Sequence, residues 1–522
     1  MVEQLNRLPK WILILISGLL TVAAFPPSPL GFLAYFSLVP LIFVFVKDDF
    51  YLGFEKGFLF GVILNFGVLY WLAFNKGTEW YWALLSMISA VLFLALNYGV
   101  IGILIGIIGK RFGKAVGIWS FPVIWVAIEF IRSFGTLGFT WNNLCYTQSN
   151  AIQLIQFASI TGPYSVSFWI VLVNILIYNV IFSPLNKKRV FTYITTILLL
   201  FLIPEIYGLS VLHKSGKKSG SRTVHVGLIQ PNVDPNTKWE WNSFKNNMQL
   251  LHDLTDSVMV NPQDLVVWPE TATPTYLRRN RYHSLDKIIK HISALEVSLV
   301  TGVPDYEWTS SEEYKVYNAV FLLRPNSHNI ESYRKIRLVP LGEYIPLSGI
   351  FPELNNLNIG QGNFSAGKEV NVFQVPLEVT KSQSSDTTLF FTTVVCYEST
   401  FPDIVREGAR KGSEMLIVVS NDAWFGFTSA PFLHAEISRF RAIENGIPVV
   451  RSANTGISMI VDSHGRVLRK IGLGKLGWLS AEIQQGNPKT LYVKFGNWFG
   501  YLCVLISGGF LIVGFVRSVK SL

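Results

Sequence analysis

Charge is scarce in this chain. Asp, Glu, Lys and Arg make up 15% of its 522 residues, against roughly 25% in an ordinary soluble domain. Half of the residues are hydrophobic, 14% are aromatic, and the mean hydropathy is +0.37. These values exclude a wholly soluble protein and point to a membrane protein with a sizeable soluble portion. Acid is scarcer than base: 34 Asp and Glu stand against 44 Lys and Arg, for a formal net charge of +10. In a membrane protein such an excess sits in cytoplasmic loops, so it reads as topology and not as nucleic-acid binding. Cysteine is nearly absent. Cys145, Cys396 and Cys503 are an odd, sparse set, which excludes a disulfide framework. No HExxH, CxxC, Walker A loop or GxGxxG occurs, so no metal site and no phosphate-cradling loop is evident. His434 and His464 are not at ligand spacing, and His434 reads as a packing histidine. Gly360-Gln361-Gly362 alone carries no meaning.

Long hydrophobic runs are what the chain has in place of charge. Apolar stretches cover residues 11–28, 31–46, 57–74, 82–108, 117–131, 164–182, 190–212 and 495–516. Each is near the ~20 residues that a helix needs to cross a bilayer, the second and fifth being short. The first is read as retained, because further apolar runs follow at once and no small-residue cleavage site is obvious. Basic residues test the count. Arg7 and Lys10 precede the first span, Lys110, Arg111 and Lys114 lie between the fourth and fifth, Lys187, Lys188 and Arg189 between the sixth and seventh, and Arg517 and Lys520 follow the eighth. With eight spans all of these fall on one side, as the positive-inside rule requires. The polar segment then lies on the opposite, extracytoplasmic side. The expected organisation is a membrane domain over residues 1–213, a soluble domain over 222–489 and a last span over 495–516, with a polar Gly/Ser linker at 214–222.

The polar segment reads as α/β. Residues 224–230, 264–268, 298–303, 389–395 and 414–420 are short, apolar and rich in β-branched side chains. They alternate with helix-like runs such as 244–259, 284–295 and 401–411, a pattern that argues for packed βαβ units.

Three residues in this segment stand where chemistry is built. Cys396 ends the strand 389–395, and Ser399, Thr400 and Pro402 beyond it read as a helix start. A thiol beside a helix N-terminus is expected to lean towards thiolate, the reactive form; a buried strand-end cysteine is the plain alternative. Glu270, in Trp268-Pro269-Glu270-Thr271-Ala272, follows the strand 264–268, and α/β sites are built at carboxyl ends of strands. Its plain alternative is a solvated loop carboxylate. Lys335 lies in Tyr333-Arg334-Lys335-Ile336-Arg337, with Gly342-Glu343-Tyr344 shortly after, and a lone lysine is usually a surface charge. In the fifth span, Glu129 and Arg132 are ionisable groups in a costly place, where pairing at i, i+3 is the plain reading.

Taken together, these residues resemble the nitrilase, or carbon–nitrogen hydrolase, superfamily, whose Glu, Lys and Cys occur in the order of Glu270, Lys335 and Cys396. The segments WPETA, KIRLVPLGEYIP, VVCYES, NDAWFG and RFRAIENGIPVVRSANTGIS are similar to those of bacterial apolipoprotein N-acyltransferases. So are Phe25-Pro26-Pro27, Gly138-Phe139-Thr140-Trp141 and the layout of apolar runs on both sides of one polar domain. Thr140, Cys145 and Leu341 depart from that family's usual Pro, Gly and Phe, and bear on local packing only.

The resemblance implies an αββα sandwich joined to a polytopic helical domain in the bacterial inner membrane, with the catalytic domain on the periplasmic side. It implies transfer of an acyl chain from a phospholipid to the α-amino group of a diacylglyceryl-cysteine lipoprotein, through a thioester on Cys396. Glu270 would be the base and Lys335 the oxyanion's partner. Trp239, Glu343, Tyr397, Glu398 and Trp424 would support the site, Glu343 and Glu398 by orienting Lys335 or binding the amine, and the two tryptophans by lining the acyl entrance. No cofactor is expected, because a thioester keeps the ester's activation. Two rivals stand beside this. A membrane-tethered amidase would use the same residues, although eight spans exceed what an anchor needs. A transporter with a ligand-binding domain is disfavoured by the few ionisable residues inside the spans.

Overall fold

The computed structural model describes residues 7–182, 186–215, 222–279, 284–310, 313–345, 363–377 and 388–520. Gly360-Gln361-Gly362 and most of the Gly/Ser linker lie outside the described residues. The chain divides into two units: Met1–Ala73, Ala83–Gly216 and Phe495–Leu522 form one, and Phe74–Trp82 with Lys217–Lys494 form the other.

The first unit is helical because its apolar runs can satisfy their backbone only internally in lipid. Among the described residues, Gly53–Phe74, Trp80–Phe112, Lys114–Ile131, Tyr164–Phe182 and Lys187–Lys214 are long and apolar enough to cross a membrane. Lys10–Ala23, Gly31–Lys47 and Trp498–Gly514 are shorter apolar helices. The second apolar run is broken into Gly31–Leu33, Ala34–Ser37 and Val39–Lys47. Pro40 brings no N–H to the start of the last piece. Asn174 repairs the break: its Oδ1 accepts from Leu38 N–H at 2.8 Å and its Nδ2 donates to Ala34 O at 2.8 Å. Gly53, Gly57 and Gly61 recur every fourth residue and face the helix Trp80–Phe112; a Cβ on Gly61 would lie 2.8 Å from Ala95 Cα. Small residues at this spacing let two helix backbones touch where apolar burial alone gives no drive.

Glu129 and Arg132 interact through their charges, and each also has partners of its own. Glu129 Oε1 accepts from Trp125 Nε1 at 3.0 Å and from Leu144 N–H at 2.8 Å, while Arg132 donates to Asn143 Oδ1 at 2.7 Å. Both are buried, and both fasten the irregular segment around Asn143 to the helix that carries them.

The second unit begins with β1 (Thr223–Gln230), β2 (Leu265–Val267), β3 (Ser298–Trp308), β4 (Tyr314–Leu323) and β5 (Glu331–Arg334). β6 (Val372–Pro376), β7 (Thr388–Val395), β8 (Met415–Ser420), β9 (Val449–Ala453), β10 (Ser458–Val461) and β11 (Val467–Ile471) follow, and β12 (Gly477–Gln484) returns to pair with β1. Among the described residues these make two six-stranded sheets, ordered β12-β1-β2-β3-β4-β5 and β11-β10-β9-β8-β7-β6. The centre of each is parallel, β1-β2-β3 in one and β7-β8-β9 in the other.

Alternation along the strands explains the layering. Met415, Ile417 and Val419 of β8 join Leu265 and Val267 of β2 in one core between the sheets. Leu416 and Val418 point the other way, onto Val405 and Ala435 of the helices Pro402–Arg410 and Ala430–Asn445. Val266 likewise turns outward to Leu251 and Ile288 of the helices Trp241–Val258 and Asp286–Ala294. Successive side chains of a strand face opposite sides, so a strand covered on both faces reads as an unbroken apolar run. Each such Val or Leu, fully buried, contributes ~1.5–3 kcal/mol. The result is the αββα sandwich that the sequence led us to expect.

Candidate active site

The carboxyl ends of β2, β5 and β7 carry the residues singled out in the sequence. Glu270 follows β2 and is only 7% exposed. Trp268 anchors the approach, donating through Nε1 to Thr255 Oγ1 at 2.9 Å and through its backbone N–H to Val300 O at 2.8 Å. Beneath the turn lies Gly302, where a Cβ would stand 2.6 Å from Glu270 Cα. Only glycine admits that approach.

Glu270 is aimed by Asn318 of β4, whose Nδ2 donates to Glu270 Oε1 at 2.7 Å and to Glu343 Oε1 at 3.0 Å. Lys335 comes directly after β5 and is 1% exposed. Its Nζ donates to Glu343 Oε1 at 2.8 Å, and its backbone N–H to Asn318 O at 2.8 Å. Glu343 is itself held by the Val339 N–H, 2.9 Å from its Oε2. Lys335 is therefore a buried, paired cation and not a surface charge.

Cys396 begins the 3₁₀ turn Cys396–Thr400 at the end of β7, with φ +50°. A non-glycine residue in the left-handed region is strained, and such strain gathers at functional turns. Glu398 pins this turn to the lysine segment. Its Oε2 accepts from Val395 N–H at 2.8 Å, and its Oε1 accepts from Tyr333 OH at 2.8 Å and from Ile336 and Arg337 N–H at 2.6 and 3.0 Å. Glu398 is fully buried and occupied by these donors. These bonds tie the end of β7 to the lysine segment. Tyr397 is buried edge-on against Phe401, with ring centroids 5.0 Å apart.

Two local expectations are corrected. Ser399 and Thr400 do not cap the helix Pro402–Arg410, whose N-cap is Phe401 without a side-chain bond. Instead Ser399 Oγ donates to Cys396 O and Thr400 Oγ1 to Tyr397 O, both at 2.8 Å, so they close the 3₁₀ turn. That turn separates the thiol from the helix, and the helix dipole falls off within one turn. Burial therefore decides the thiol's state. It pushes Cys396 far above its ordinary value, with the Glu270 charge adding and Lys335 opposing.

The same low-dielectric setting acts on its neighbours. Burial raises Glu270 above the usual carboxylate range, against the pull of Lys335 and the Asn318 bond. Burial works against the Lys335 charge too, but Glu343, Glu270 and Cys396 outweigh it and hold the ammonium above its ordinary value. Glu270, Lys335 and Cys396 thus lie close enough to act on one another's charge.

Beneath Cys396 is a cluster that the sequence reading did not foresee. His434 Nε2 lies 3.0 Å from Cys396 O, and Nδ1 lies 2.8 Å from Asp422 Oδ1. Asp422 also accepts from Ser420 Oγ at 3.0 Å and from Arg451 at 2.7 Å. Ligand atoms of Cys396, Asp422 and His434 fall within 4.8 Å of one another. Both ring nitrogens and both carboxylate oxygens are already engaged, and the Arg451 cation sits among them. This chemistry fits a hydrogen-bonded foundation for the Cys396 turn and not a metal-ligand set. His434 is held by hydrogen bonds at both ring nitrogens.

Glu270 and Asn318 open onto a cavity of about 570 Å³, whose wall also includes Lys238, Trp239, Phe364 and Trp424. Trp239 is 54% exposed. Asn318 and Lys238 were missed in the sequence. The one available signal was polarity inside apolar strand β4, since a buried Asn needs partners.

Comparison with known proteins places this geometry. Residues 225–489 match the family model for carbon–nitrogen hydrolase, and residues 17–176 that for the apolipoprotein N-acyltransferase N-terminal domain. An apolipoprotein N-acyltransferase from Geobacter metallireducens is 33% identical, the alignment covering 98% of this chain and 96% of that one. One from Haemophilus influenzae is 29% identical, over 95% and 93%. Among solved structures, an amidase from Nesterenkonia sp. is 18% identical, with a TM-score of 0.37 over 54% of this chain and 96% of that one. By identity over nearly its whole length, the chain belongs to the apolipoprotein N-acyltransferase family.

Proposed function

We propose that this protein transfers an acyl chain from a phospholipid to the α-amino group of a lipoprotein's N-terminal diacylglyceryl-cysteine, with Cys396 as nucleophile. The observation that carries the reading is Cys396, strained at the turn that ends β7, close enough to the buried Glu270 and Lys335 for their charges to act on it.

Each group has a step. Glu270 takes the thiol proton as Cys396 Sγ attacks the ester carbonyl of the donor. A base whose affinity for protons is raised by burial suits this transfer. Lys335, fixed by Glu343, stabilises the tetrahedral oxyanion. The C–O bond breaks, Glu270 returns the proton to the glycerol oxygen, and lysophospholipid leaves a thioester on Cys396. The lipoprotein amine then attacks, its proton passes to Glu270, and the C–S bond breaks to restore the thiol and release the N-acyl product. Two half-reactions through one covalent intermediate are ping-pong chemistry. No cofactor enters, because the thioester preserves the ester's activation.

The supporting roles follow the contacts. Glu343 orients Lys335 directly. Glu398 positions it through the Ile336 and Arg337 N–H groups. Tyr397 packs the nucleophile turn, and Trp239 and Trp424 line the donor's way in. The domain limits that go with this reading are 1–213, 222–489 and 495–516. Eight spans would place both termini in the cytoplasm and the catalytic domain on the periplasmic face of the inner membrane, supported by the basic loops.

The test is an assay with acyl-labelled phospholipid and a diacylglyceryl peptide. Label is expected first as a thioester on Cys396 and then as N-acyl peptide. Label released only as free acid would favour a hydrolytic amidase-like enzyme and overturn the proposal.

A further inference from the structure

Lys238 shares the cavity wall with Glu270. It is 3% exposed, yet among the described residues no carboxylate stands within ion-pair distance of its ammonium. Lys335, equally buried, is answered by Glu343 at 2.8 Å. An ammonium withdrawn from water with no carboxylate at ion-pair distance is costly, and an arriving anion would offset that cost. The surroundings describe that partner. The amides of Asn236 and Asn318 offer polar contacts on the same wall, while Trp239, Phe364 and Trp424 offer apolar ones. The ligand is therefore an anion attached to an apolar body.

We propose that Lys238 binds the phosphodiester of the phospholipid donor and so presents the neighbouring ester to Cys396. This rests on the acyl-transfer reading above. A phosphodiester is anionic at every physiological pH, and in a glycerophospholipid only a few bonds separate it from the acyl ester. An anchor on the same cavity wall as Glu270 would hold that ester on the side of the base. A lysine suits the task as a compact point charge for phosphate. Burial lowers the Lys238 ammonium to about 8, with Glu270 pulling it back up. A bound anion would stabilise the charged form further.

The experiment measures thioester formation on Cys396 in the full-length protein in mixed micelles. Two donors are compared, phosphatidylethanolamine and a diacylglycerol with the same chains, which lacks the phosphate headgroup. The wild type should prefer the phospholipid. Lys238→Gln should lower its rate on phospholipid by roughly 10–100-fold, the value of one charge-assisted hydrogen bond, and change the diacylglycerol rate by less than about twofold. Lys238→Arg should keep most of the preference, showing that the site folds with a cation in place. An equal loss on both donors would overturn the proposal, since Lys238 would then serve Glu270 or the fold. So would an undiminished preference in Lys238→Gln, or no preference in the wild type. If inorganic phosphate at the donor's own concentration erases the wild-type preference, the site binds free anion and its assignment to the lipid headgroup is overturned. A wild type that forms no thioester with either lipid would instead defeat the acyl-transfer reading itself.

Discussion

Asn318 Nδ2 lies 2.7 Å from Glu270 Oε1, and the same nitrogen reaches Glu343 Oε1 at 3.0 Å. One amide therefore ties Glu270 to the carboxylate that holds Lys335. Replacing Asn318 by Ala should free Glu270 to rotate while leaving the thiol, the lysine and the sheets in place. Losing one hydrogen bond to a charged group should slow single-turnover thioester formation roughly 10–100-fold. A mutant that acylates like the wild type would remove Asn318 from the machinery.

The roles of Glu270 and Lys335 separate by pH. Glu270→Gln removes the base, and acylation should fall roughly 10²–10⁴-fold near neutral pH. The thiol is raised by burial and also by the Glu270 charge, so the substitution relieves part of that push. The remaining rate should climb with pH as Cys396 ionises unaided. Lys335→Met should cost roughly 10²–10³-fold through lost oxyanion stabilisation. It removes the charge that favours thiolate, and no pH restores it. Its rate should stay flat above the Glu270 titration. Identical pH profiles for the two mutants would refute this division.

The acid limb has its own sign. In the proposed mechanism Glu270 acts as a base only when ionised, and burial raises its affinity for protons. Wild-type acylation should therefore fall as pH drops through a value above the ordinary ~4.3 of a glutamate. A limb at or below that value would mean that Glu270 is solvated during the reaction.

Gly302 makes a packing prediction. A Cβ there would meet Glu270 Cα at 2.6 Å and Pro269 O at 2.7 Å. Gly302→Ala should cost about 1–3 kcal/mol of stability by overpacking, seen as a lower Tm, and should depress acylation more than KM for the lipoprotein. An unchanged Tm and rate would show that the turn yields freely.

Much of this was legible in the sequence, and the reasons are physical. Runs such as residues 415–419 are apolar throughout because both faces of the strand are covered. The helices between them showed themselves by period. Short strands such as β5 and β10, four residues each, are too brief to carry an alternation. β12 is largely exposed or half-buried and lacks a clean pattern. In the site, the order Glu270, Lys335, Cys396 could be read, but what sets their state could not. Asn318 lies 48 residues from Glu270, and Glu398 reaches back 62 to Ile336. Such bonds exist only once the sheets have paired. The thiol shows the same limit: local sequence showed a helix start, whereas burial and the Glu270 charge, both tertiary, push Cys396 upward.

The most direct measurement is intact-protein mass spectrometry of the full chain after incubation with phospholipid alone, followed by addition of a diacylglyceryl peptide. The wild type should gain one acyl group on Cys396 and lose it as N-acyl peptide forms, and Cys145→Ser with Cys503→Ser should behave the same. Cys396→Ala should gain nothing. An acyl adduct that persists in Cys396→Ala, or one on Cys396 that the peptide cannot discharge, would contradict the account.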